Sequence, residues 1–198
     1  MGAVQARTIQ TGDFDIPRIA SIDIVRADAA VQATLAGVKT KIGRVPNLFS
    51  TFAQSPAVLN GYLALSDALG KGVLTGKQRE IVSLAVGQAN ECHYCLSAHT
   101  LMGKGAGLSP EGIRKAREGK AEDALDDAVA RFARRVVDVR GQVSDEDLAA
   151  ARSAGLADAH IVEVIANVAI NVWTNYTNNV ALTDIDFPRV DVELSHAA

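Results

Sequence analysis

The sequence predicts an all-α protein, on three observations. Alanine is abundant while aromatic residues make up only 5% of the chain, so small aliphatic side chains must fill the core, which suits closely packed helices better than sheets. Apolar residues recur at helical spacing, as in Ala124, Ala128, Phe132 and Val136, and no segment shows the alternation that marks a strand. Ser55-Pro56 and Ser109-Pro110 each place an N-cap residue before a proline suited to the first helical position.

Residues 1–27 read as an irregular arm, with Gly12, Asp13 and Pro17 breaking any early helix. A helix is predicted from about Asp28 to Lys41, stopping before the turn Gly43-Arg44-Val45-Pro46-Asn47. Ser55-Pro56 opens the next, which ends near Lys71 among the glycines. Thr75 starts a helix to about Ala89, and Asn90 reads both as its end and as the N-cap of the following one, Glu91 to about Lys104. Ser109-Pro110 begins a short helix to about Glu118, and Asp123 to Arg140 is amphipathic. Ser144 with Asp147 resembles a capping box for a helix ending at Gly155. Asp158 opens the longest helix, to about Leu182, and the tail at 183–198, with Pro188, reads as extended. At 198 residues the chain is expected to form a single domain.

The net charge of −3 gives no electrostatic footprint for nucleic acid. No Lys/Arg cluster flanks an apolar helix, and the longest apolar run, Ile161 to Trp173, is interrupted by Glu163, Asn167 and Asn171 and too short to span a bilayer. The opening residues lack the apolar stretch of a secretory signal. A cytoplasmic protein is expected, binding neither membrane nor nucleic acid. In that compartment a cysteine pair serves catalysis or metal binding rather than as a staple.

The chain holds two cysteines, Cys92 and Cys95, in Cys92-His93-Tyr94-Cys95, with His99 one turn on. On a helix, with Cys92 at 0°, Cys95 falls near about −60° and His99 near about −20°, so both thiols and the imidazole share one face. Residues three apart lie about 5–6 Å apart at Cβ, close to disulfide geometry. If Asn90 is the cap, Cys92 sits in the first turn, where free N–H groups favour a thiolate. If the two helices fold back as an antiparallel hairpin, Glu80 comes level with His99, and Gly87 on the same face leaves space for an approaching side chain or a water. A carboxylate beside an imidazole fixes its tautomer, giving a proton path from thiol to imidazole to carboxylate of the kind that activates nucleophiles.

Other chemistries fit parts of this pattern. Cys92, Cys95, His99 and Glu80 could just supply a zinc site, which makes a zinc-stabilised or redox-sensing interaction protein an alternative. Attached haem needs a histidine directly after the second cysteine, and Leu96 stands there.

Glu80, eleven intervening residues, Cys92-x-x-Cys95, three more and His99 resemble the signature of the alkylhydroperoxidase AhpD-like proteins of the carboxymuconolactone decarboxylase family. Val45-Pro46-Asn47-Leu48-Phe49 with Ser55-Pro56, and Asn175-Tyr176 through Asp184-Ile185-Asp186-Phe187-Pro188, are similar to opening and closing segments of its peroxidase-related branch. The resemblance implies an AhpD-like helical bundle whose two-helix hairpin carries the cysteines, and a homo-oligomer. It implies thiol-dependent reduction of hydroperoxides without haem, flavin or metal, with an external dithiol or reductase protein as reductant. It further implies that Cys95 attacks the peroxide and Cys92 resolves the sulfenic acid. The residues themselves leave that order open, because a helix terminus favours Cys92 whereas His99 is one turn from Cys95. A histidine that some members carry before the second cysteine is replaced by Tyr94, with His93 one place earlier. A non-redox relative using His99 and Glu80 as acid and base is the other enzymatic alternative.

Asn167, Asn171, Asn175 and Asn179 recur every four residues on the long apolar helix. They read equally as a solvated face or as amides bonded across a subunit contact or at a pocket wall.

Overall fold

The computed structural model describes residues 16–194. Among them the chain forms nine α-helices and no strand: α1 (Ala29–Ile42), α2 (Asn47–Phe52), α3 (Pro56–Leu69), α4 (Gly76–Ala89), α5 (His93–Gly105), α6 (Pro110–Arg117), α7 (Ala124–Asp138), α8 (Asp145–Ser153) and α9 (Asp158–Ala181). Residues 1–15 of the predicted arm and 195–198 of the predicted tail lie outside the described residues. No single helix among the described residues is long and apolar enough to cross a membrane.

Every predicted helix is present, and α2 is added where only a turn was expected. Its six residues follow Pro46 and bury Leu48, Phe49 and Phe52. A helix this short shows no periodicity in sequence, and packing rather than propensity holds it.

The centre of the molecule is α4, which touches α5, α6, α7 and α9. Ile81, Val82, Leu84, Ala85 and Val86 are all fully buried, an apolar stretch that packs on more than one neighbour at once. Its start is fixed by a capping box, in which the Gln78 N–H donates to Thr75 Oγ1 at 3.1 Å and the Thr75 N–H to Gln78 Oε1 at 2.9 Å. The predicted box at Ser144 and Asp147 forms in the same way.

One apolar core lies between α4, α7 and α9, built on Val82, Val86, Phe132, Val164 and Val168. A second joins Leu35 of α1, Phe49 and Phe52 of α2 and Leu59 of α3 to Cys92, Tyr94 and Cys95. Leu35 and Leu59 are fully buried, each contributing roughly 2 kcal/mol relative to exposure.

Residues 183–194 form no helix and run as a strap against the α4–α5 hairpin. Asn47 donates its backbone N–H to Asp186 Oδ2 (3.2 Å) and its Nδ2 to the Asp184 carbonyl (3.0 Å). Arg44 pairs with Asp186 at 2.9 Å and lies 4.3 Å over the Phe187 ring. The Val190 N–H donates to Ser97 Oγ at 2.9 Å. The two sequence segments outlying the cysteine motif therefore meet each other beside it. Residues 16–27 are likewise without helix, and Arg18 donates its N–H to the Ala181 carbonyl at 2.7 Å.

Candidate active site

The turn between α4 and α5 differs from the one expected, and the difference places the first cysteine. The Cys92 N–H donates to the Gly87 carbonyl at 2.9 Å and the Glu91 N–H to the Gln88 carbonyl at 3.2 Å, the paired bonds of a Schellman motif. Glu91 takes its left-handed position, with φ 51°. Asn90 thus closes α4 but does not cap α5. The N-cap is Cys92, in extended conformation, whose Sγ accepts the Cys95 N–H at 3.3 Å. A glutamate where this motif prefers glycine conceals it in the sequence.

The two sulfurs are joined, with Cα atoms 5.3 Å apart. Cys92 is fully buried and Cys95 is 3% exposed. A Cβ built on Gly87 would meet Cys95 Cβ and Leu96 Cδ2 at 3.6 Å, ordinary van der Waals contact, so the side chains that approach this glycine are those of Cys95 and Leu96.

Glu80 and His99 meet across the hairpin, His99 Nδ1 and Glu80 Oε2 being 2.8 Å apart. Both line a cavity of about 170 Å³ between α3, α4, α5 and α9, with Tyr62, Arg79, Asn167 and Asn171 on its walls. That is small beside sites for drug-sized ligands. A larger cleft of about 510 Å³ lies over α1 and residues 43–45 and includes none of these four site residues. Among the described residues no three His, Cys, Asp or Glu side chains are grouped to hold a metal ion.

The asparagine stripe divides into two uses. Asn167 and Asn171 wall the cavity, each donating Nδ2 to the carbonyl four residues back on α9 at 2.8 Å. Asn175 and Asn179 hold the hairpin turn: Asn90 Nδ2 donates to Asn175 Oδ1, and Asn179 Nδ2 to the Asn90 carbonyl, both at 2.9 Å. Asn178, off the four-residue period, donates Nδ2 to Cys95 Sγ at 3.3 Å. Sequence periodicity gave no reason to single it out.

Tyr94 faces the strap. Its hydroxyl accepts the Leu48 N–H at 3.1 Å and its ring meets Phe187 edge-on at 5.5 Å. Burial, reinforced by the Asp186 carboxylate, pushes the phenol well above its ordinary range. Tyr94 therefore stays neutral and serves as a structural link between α2, the hairpin and the strap.

Residues 56–138, from α3 to α7, match the family model of the carboxymuconolactone decarboxylase family. The fold matches the alkylhydroperoxidase AhpD core of an uncharacterized peroxidase-related protein from Ralstonia eutropha JMP134, with a TM-score of 0.78, 26% identity, and 86% of this chain and 93% of that one covered. The fold is AhpD-like, and its segment 56–138 is similar to the carboxymuconolactone decarboxylase family. An uncharacterized peroxidase-related protein from Silicibacter sp. TM1040 shares the fold of this AhpD-like protein at 22% identity and a TM-score of 0.73, covering 84% of this chain and 91% of that one. So does the debrominase Bmp8, in complex with 2,3,4-tribromopyrrole, at 14% identity and a TM-score of 0.72, covering 85% and 91%. No match to the sequence is found among curated proteins. The helical bundle and its cysteine pair fit a peroxidase-related role.

Proposed function

We propose that this protein is a thiol-dependent hydroperoxide reductase in which Cys92 and Cys95 are the redox centre and Glu80 and His99 the proton relay. The observation that carries the reading is the 2.8 Å contact between Glu80 and His99 on the same hairpin that holds the joined sulfurs. A dithiol pair supplies two electrons, and a fixed imidazole can take and return one proton.

In the reduced protein His99 takes the Cys95 thiol proton. The Cys95 sulfur gives its electron pair to the terminal peroxide oxygen, and the O–O bond breaks. The alkoxide takes the proton from His99 and leaves as alcohol, with Cys95 oxidised to sulfenic acid. Cys92 Sγ then attacks Cys95 Sγ. The S–S bond forms, the S–O bond breaks, and the hydroxyl leaves as water with the Cys92 thiol proton. An external dithiol, free or on a reductase protein, reduces the disulfide and is itself oxidised. No cofactor enters the cycle, and a cytoplasmic setting keeps such dithiols reduced.

A homo-oligomer suits the surface. Of the fourteen residues of α3 only Leu59 is buried, and Leu65, Leu101, Met102 and Ile165 are exposed, an apolar area of the kind that subunit contacts cover.

The test is stoichiometric. The reduced protein should consume one equivalent of an alkyl hydroperoxide with loss of its two thiols, and Cys95→Ser should abolish consumption. A Cys95→Ser variant as fast as the native protein would overturn the reading. Electron donation by a dithiol also suits a halogenated aromatic electrophile, the class named by the debrominase complex. Offering a bromopyrrole in competition with the peroxide separates the two substrates.

A further inference from the structure

Asn178 stands outside the relay yet touches a reacting atom. It is 3% exposed, its Nδ2 donates to Cys95 Sγ at 3.3 Å, and its Oδ1 has no hydrogen-bond partner. One turn earlier Asn175, fully buried, leaves its Nδ2 unpartnered while its Oδ1 accepts from Asn90. Buried amide atoms are normally satisfied, and an apolar side chain at position 178 would fill this face of α9 without that cost. The amide group that meets the sulfur is the donor.

The two sulfurs are supported differently. Cys92 Sγ accepts a backbone N–H, that of Cys95, which any N-cap residue would meet. Cys95 Sγ depends on a side chain brought from α9. A hydrogen bond donated to sulfur favours thiolate over thiol.

We propose that Asn178 is a catalytic residue whose side-chain NH2 holds Cys95 Sγ as the thiolate that attacks. This rests on the hydroperoxide-reductase reading. The step is the Cys95 attack written above, to which Asn178 contributes a hydrogen bond and neither proton nor electrons.

The ionisable groups on the elements around Cys95 are Lys77, Arg79 and Glu80 on α4, Glu91, Cys92, His93, Tyr94, His99 and Lys104 on the turn and α5, Tyr62 and Asp67 on α3, Arg44 before α2, and Asp184, Asp186, Arg189, Asp191 and Glu193 on the strap; the half of α9 that carries Asn178 adds only the exposed Tyr176. None is altered by substituting Asn178, so a change in thiolate reports the amide.

The experiment measures the alkylation rate of Cys95 by iodoacetamide against pH in a Cys92→Ser background, with Asn178 native, Asn178→Ala or Asn178→Asp. Asn178→Ala should lower the rate at neutral pH about tenfold. The isosteric Asn178→Asp, which keeps the volume but sets a like charge against the thiolate, should lower it further. A packing role alone predicts the reverse, since loosening exposes the thiol. Rates unchanged or faster in whichever variants keep the native near-UV spectrum would overturn the proposal. So would an equal loss at Cys92, measured in a Cys95→Ser background. Peroxide consumption by the native protein is followed separately. Its failure defeats the reductase reading, while the alkylation result judges Asn178 on its own.

Discussion

Glu80 Oε2 and His99 Nδ1 meet at 2.8 Å across the α4–α5 hairpin, with each side chain 18% exposed. Two groups acting in series should not lose activity additively. His99→Ala is expected to slow peroxide-driven thiol loss roughly 100-fold or more, and Glu80→Gln about tenfold. The double variant should be no slower than His99→Ala alone. Stopped-flow thiol titration under excess peroxide measures all three, and additive losses would mean that the residues act independently.

Glu91 holds a left-handed φ of 51° in the Schellman turn that delivers Cys92. A residue with a Cβ pays about 1–2 kcal/mol for that conformation, from which glycine is exempt. Glu91→Gly is therefore expected to raise stability by about 1 kcal/mol in urea denaturation, with the alkylation rates of both cysteines unchanged.

The same turn shows where sequence reasoning reached its limit. The helices with N-cap signals, such as Thr75, Ser109 and Ser144, were legible because those caps act through adjacent backbone. Glu80 and His99 were legible because helical spacing plus a fold-back puts nineteen residues of separation face to face. Cys92 as N-cap was not, since a glutamate fills a glycine position. Helix α2 was not, since it is held by packing such as that of Phe52 against Trp173 of α9, a contact between distant parts of the chain. Asn178 was not, because only the crossing of α9 over the hairpin decides which asparagine of that helix reaches sulfur.

Tyr94 carries a pH dependence. Burial raises its phenol above the ordinary value of 10.0, so the folded chain retains a proton that the unfolded chain gives up. Between those two values the folded state binds more protons, and stability falls as pH rises; below the unfolded value nothing is lost. The fall should set in above about pH 10, with a slope approaching roughly 1.4 kcal/mol per pH unit for this group. Tyr94→Phe should remove that slope. It should also cost about 1–3 kcal/mol at neutral pH, because the Leu48 N–H loses its acceptor. Denaturation at a series of alkaline pH values compares the two chains.

Arg117 ties down the end of the strap. It is 8% exposed, and burial lowers its pKa, against the pull of Asp191 and Glu193. It donates Nε to Gln88 Oε1 at 2.7 Å and Nη2 to the carbonyls of Asp191 and Val192 at 2.7 and 2.9 Å. Gln88 Nε2 reaches Val192 as well, at 2.9 Å, so the strap end is held by one buried cation and its partner amide. Arg117→Met keeps the apolar stem and removes every donor. The loss should be about 2 kcal/mol, concentrated in the strap, where each 1.4 kcal/mol raises the open population about tenfold. Both sulfurs are buried, so an external dithiol needs an opening, and the strap crosses the hairpin beside Tyr94 and Ser97. Hydrogen exchange at Val190 and the rate of disulfide reduction by dithiothreitol should therefore rise together in Arg117→Met. Faster exchange with an unchanged reduction rate would place the route of the reductant elsewhere, through the cavity of Glu80 and His99.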